Sequence, residues 1–177
     1  MVEGRELPRS WRDHWKYDVI DAYGAIWPPK ENDEGEEEYS LDLVMAEHLA
    51  GAHISGLGKV PSWFAKGAAM VVAAKLNPKD TRVQAWNDAI PGVLSQMKKP
   101  DDLITGKLGT EQTAIASYAY LSFLMKNTQR FHTVMKSMRG KESFGASFSK
   151  GFGGSPTQVA TIWAQNASRQ PPKRRRR

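Results

Sequence analysis

Apolar and polar positions along this chain fall into blocks that predict helices over most of its length after residue 40 and one strand before it. From Trp15 to Trp27 the run WKYDVIDAYGAIW mixes aromatic and β-branched residues and stops at Pro28-Pro29, which predicts a strand or short hairpin. Ser40 is placed as an N-cap and Asp42 in a first turn, where its charge suits the helix dipole, so a helix is expected from Leu41 to about Ile54. Gly56, Gly58 and Pro61 break the pattern, and a second helix follows from Ser62 to Leu76, closed by Asn77-Pro78. Further helices are expected over about Thr81 to Met97, Thr110 to Asn127, Gln129 to Met138 and Pro156 to Ala167, the last announced by Ser155 before Pro156. The expected class is mostly α (α+β), with a small β element near the N-terminus.

Between and around these elements the chain is polar. Residues 1–14 read as an arm anchored to the body by Trp11 and Trp15. Glu31 to Glu38 holds six acidic residues in eight positions, too much like charge for a packed element; it reads as a solvated loop, and the regular oxygen spacing of a calcium loop is missing. The expected organisation is an arm (1–14), one main domain (15–168) and a disordered basic tail (169–177) rich in proline and positive charge. No internal repeat is visible.

Length and composition narrow the function classes. A chain of 177 residues, 40% hydrophobic and 25% charged, can bury one sizeable core. No apolar run approaches the roughly 20 residues that span a bilayer, and Met1 to Ser10 lacks the apolar stretch of a signal peptide, so a soluble chain is expected. A chain trimmed of its targeting segment would read the same way, which leaves the compartment unassigned and an extracytoplasmic origin open. The absence of cysteine removes disulfides, thiolate metal sites and cysteine nucleophiles together. The formal charge of +6 points to an anionic partner only until Lys173, Arg174, Arg175, Arg176 and Arg177 are set aside, since without them the total is about +1.

The segment from Leu43 to Lys75, LVMAEHLAGAHISGLGKVPSWFAKGAAMVVAAK, resembles the gluzincin-type zinc peptidases, specifically the peptidase MA-like group. That family pairs an HExxH helix with a second helix of pattern P-x-W-[LF]-x-E-G-x-A-x-[YF]. The two histidines and the glutamate of the second helix bind zinc, and the glutamate of the first motif is the general base. Aligned on this pattern, the two histidine positions hold Ala46 and Ala50, the base position holds Glu47, and the third-ligand position holds Lys66. Pro61, Trp63, Phe64, Gly67 and Ala69 keep the structural part of the second motif, while Val71 stands where an aromatic residue is usual. The run from Tyr118 to Ala167 is similar to the family's C-terminal helical part, with its glycine-punctuated connection and a last helix bearing a tryptophan. The resemblance implies a zincin-like helical domain in which the catalytic positions are vestigial. It also implies a fuller β-rich subdomain before the motif helix than some forty residues supply, so that half is expected to be absent or to belong to a longer protein.

Other ligands are weighed against helix geometry. At 100° per residue His48 points about 140° away from His53, so the two cannot chelate one ion from one straight helix. His53 lies close to the face of Ala46 and Ala50 and is the weak candidate for a metal; His48 reads as a core-edge histidine, and His14 and His132 as solvent-facing or structural. An ammonium at Lys66 repels a dication and cannot donate a lone pair while charged. Lys66 is expected either to pair with Glu47, replacing the metal by an ion pair, or to reach solvent. The glycine-rich run at Gly151 reads as a connector rather than an anion site, since no P-loop lysine follows, and no serine, histidine and acid spacing forms a triad.

The leading expectation is a non-catalytic pseudopeptidase domain, without metal or cofactor, acting as a structural or protein-interaction module with a protein partner. One alternative is an active zinc peptidase with non-standard ligands, which would need two more donors near His53 or Glu47. Another is nucleic-acid or other polyanion binding through Lys173 to Arg177, salt-sensitive and sequence-independent. Of six tryptophans, Trp63, Trp86 and Trp163 lie in apolar helical patterns and belong to the core, whereas Trp11, Trp15 and Trp27 are the candidates for an exposed platform or docking surface.

Overall fold

The computed structural model describes residues 41–169, and within them the chain forms seven α-helices and no strand. These are α1 (Leu41–Ser55), α2 (Ser62–Leu76), α3 (Thr81–Gln96), α4 (Thr110–Leu124), α5 (Thr128–Arg139), α6 (Phe144–Phe152) and α7 (Pro156–Arg169). The arm, the strand expected over 15–27, Ser40, the acidic loop, His14, Trp11, Trp15, Trp27 and the tail from residue 170, including Lys173 to Arg177, lie outside the described residues. Among the described residues no helix is long and apolar enough to cross a membrane.

α2 is the centre of the fold because its sequence is apolar nearly all the way round. Trp63, Phe64, Ala65, Gly67, Ala68, Ala69, Met70, Val71 and Ala73 are all buried, as expected of a helix with neighbours on several sides. It packs against α1 on one side and α4 on another. Its start is fixed by Pro61, whose carbonyl accepts from the Phe64 and Ala65 amides at 3.0 and 3.1 Å. Its end follows from Pro78, which has no amide to donate and keeps Asn77 out of the helical region (φ −127°, ψ 62°). The link from α1 turns through Gly58, whose φ of 134° suits only glycine.

Two glycines let helices approach closely. A Cβ on Gly67 would sit 2.5 Å from the Ser117 carbonyl oxygen of α4, and one on Gly151 would sit 2.5 Å from Val134 Cγ2 and 2.7 Å from the Arg130 carbonyl oxygen of α5. Aromatic rings fill the space that remains. Trp63 stacks on Tyr120 with centroids 5.7 Å apart, Tyr120 meets Trp163 of α7 at 5.0 Å, and Phe64 lies between Phe131 and Phe144. Burial of rings of this size contributes roughly 1.5–3 kcal/mol apiece. Trp63 and Trp163 are buried and Trp86 is half-buried against the same core, as their apolar settings predict.

The helix ends carry their own signals. Asp80 caps α3 by accepting from the Arg82 amide at 2.9 Å, and Asn127 caps α5 through the Arg130 amide at 3.1 Å. Ser155 and Gln158 form a reciprocal capping box at α7, with the Gln158 side chain accepting from the Ser155 amide at 2.8 Å. One element departs from the sequence reading. The glycine-punctuated connection before α7 contains α6, and Gly151, read as part of a connector, lies in its last turn against α5. Glycine and serine have poor helix propensity, and packing overrides it here. α7 also runs to Arg169, two residues past the expected end and into the first residue of the expected tail.

Candidate functional site

The motif helix α1 presents two different surfaces within one turn. Glu47 points to α2, where its Oε1 lies 2.6 Å from Lys66 Nζ; the glutamate side chain is only 11% exposed and the lysine 54%. Helix packing makes this reach possible, because α1 passes close to α2 at Gly51, where a Cβ would lie 3.6 Å from that of Ala69. Of the two fates expected for Lys66, pairing is the one the fold adopts. The position matched to the general base and the position matched to the third ligand are joined by opposite charges.

Ala46 and Ala50 face elsewhere. With His53 they line one wall of a groove of about 430 Å³, whose opposite walls are Val72 and Leu76 at the end of α2 and Phe131 and Met135 of α5. The three α1 residues follow the i, i+4, i+7 spacing that puts them on one helical face, so the face predicted for His53 is the one observed. The groove's lining includes neither Glu47 nor Lys66. The four positions matched to the motif are therefore divided, two over an ion pair and two over an apolar surface, rather than gathered round one point.

His53 already has a partner. Its Nε2 lies 3.3 Å from an Arg139 Nη2 of α5, and since a guanidinium only donates, Nε2 is the acceptor in this contact. A cation fixed at the only lone pair that faces α5 is a poor setting for a second, metallic one. Among the described residues no group of three or more His, Cys, Asp or Glu side chains is placed to hold a metal ion. His48 is half-buried, while its neighbours Met45 and Leu49 are 37% and 65% exposed; the core side of α1 is Leu43, Val44 and Ile54. His132 is exposed, as expected.

The residues that sequence reasoning passed over are those across the groove. Phe131, Met135 and Arg139 recur at four-residue spacing on α5, and Val72 and Leu76 do so on α2. That spacing is a visible signal for a shared face, but it does not say which face of α1 would stand opposite.

No family model, no curated protein and no solved structure matches this chain.

Proposed function

We propose that this chain is a non-catalytic, peptidase-like domain that serves as a structural or protein-interaction module. The observation that carries the reading is the ion pair between Glu47 and Lys66. A general base for metal-assisted hydrolysis must be free to take a proton from bound water. Glu47 is held by an ammonium instead. Two alanines at the histidine positions offer no lone pair, and a charged lysine at the third-ligand position would repel zinc, so the donor set does not fit the metal that the resemblance implies. The split of these four positions between two surfaces supports the same conclusion.

The test is elemental analysis of the purified chain after zinc is added and the excess removed, together with a peptidase assay on an unfolded protein substrate. The expected result is a zinc content far below one per chain and no hydrolysis. A content close to one zinc per chain, lost on Glu47→Ala or His53→Ala, would overturn the proposal in favour of a peptidase with unusual ligands.

A further inference from the structure

Among the described residues, the groove beside α1 is an apolar surface that no helix covers. Leu49 is 65% and Leu76 67% exposed at its edges, and its lining is almost wholly apolar. Single exposed leucines are ordinary, but a concave apolar stripe shared by three helices marks a surface that something covers.

Charge identifies the occupant. Residues 41–169 hold fifteen Lys and Arg against eight Asp and Glu, a formal +7, whereas residues 1–40 hold five against eleven, a formal −6. Their near-neutral sum of +1 hides this opposition. At the groove itself Arg139 meets the lining residue His53 at 3.3 Å, and in sequence Lys75, Arg130 and Lys136 stand next to the lining residues Leu76, Phe131 and Met135. Residues 15–27 supply the apolar complement, with Trp15, Ile20, Tyr23 and Trp27. Connectivity allows the return. The thirteen residues 28–40 reach up to about 45 Å when extended, and the 15-residue α1 that they precede is only about 22 Å long. Tethering makes the contact intramolecular, with an effective concentration near the millimolar range.

We propose that residues 15–27 of this same chain occupy the groove between α1, α2 and α5, with the acidic run Glu31 to Glu38 drawn to the net positive charge of residues 41–169. The contact stands apart from the zinc question and holds whether or not the domain is a pseudopeptidase.

The test is hydrogen exchange of the full chain, wild type against Leu49→Glu/Leu76→Glu, with circular dichroism to check that the helices persist. Amides of residues 15–27 are expected to exchange at least about tenfold slower than free peptide, to lose that protection in the double variant, and to keep it on dilution of the wild type. A second measurement avoids the groove charges. The chain has no cysteine, so Ile20→Cys with Leu49→Cys is expected to be joined within one monomer by a short bis-maleimide. Absent protection, protection that survives the double variant, protection lost on dilution, or a cross-link only between chains would each overturn the proposal, the last two by making a second copy the occupant.

Discussion

A carboxylate beside an ammonium does different work from a free one, and Glu47 beside Lys66 is such a carboxylate. The exposed lysine gives the pair some solvent screening, while the nearly covered glutamate cannot recover full hydration if its partner goes. Lys66→Ala is therefore expected to destabilise the fold by about 1–2 kcal/mol, more than an ordinary surface ion pair would. Glu47→Gln keeps shape and a hydrogen-bonding group, so its cost should be smaller. A double-mutant cycle by urea denaturation should give a coupling of about 1 kcal/mol. A coupling indistinguishable from zero would mean that the two charges meet without holding α1 to α2, and the case for a structural replacement of the metal would weaken with it.

At the scale of elements, glycine positions separate contact from conformation. Gly67→Ala drives a methyl into the Ser117 backbone and Gly151→Ala into Val134 and the Arg130 carbonyl, so each should cost about 1–3 kcal/mol through overpacking. Gly92, exposed in α3 with nothing near its Cβ position, is the contrast: alanine there should stabilise by about 0.5–1 kcal/mol. Thermal denaturation of the three variants would show the opposite signs. The same contrast explains what the sequence made legible. α2 begins and ends at the expected residues because Pro61 and Asn77-Pro78 act locally, whatever α2 packs against. α6 was hidden because Gly145, Ser147 and Gly151 argue against a helix on propensity, although Phe144, Phe148 and Phe152 mark one face at four-residue spacing. The Glu47 and Lys66 pair was legible as one of two outcomes, since both positions followed from one motif. The groove was not, because its walls come from three helices far apart in sequence, whose placement depends on packing such as the close approach of α1 to α2 at Gly51.

For the whole molecule, Tyr120 joins the central layer to the C-terminal helix and ties stability to pH. Its ring stacks on Trp63, its hydroxyl donates to the Pro156 carbonyl at 2.9 Å, and it is fully buried. Burial pushes its phenol well above the ordinary value near 10, and Tyr118 shifts the same way, again chiefly by burial. A phenol whose folded value exceeds its unfolded one keeps its full contribution below about pH 10. Above that the unfolded chain releases the proton while the folded chain retains it, so stability falls by up to about 1.4 kcal/mol per pH unit for each such tyrosine until the folded value is reached. Tyr120→Phe removes both the titration and the hydrogen bond to Pro156. At pH 8 the variant should be less stable by about 1 kcal/mol. Its decline above pH 10 should be shallower, with Tyr118 still contributing, so that the two proteins reach equal stability near about pH 11. Urea denaturation at intervals from pH 8 to 11.5 measures both curves, and lysine deprotonation cancels in the difference between them. Parallel curves would show that the Tyr120 hydroxyl ionises in the folded protein, which would require water to reach the junction of α2, α4 and α7.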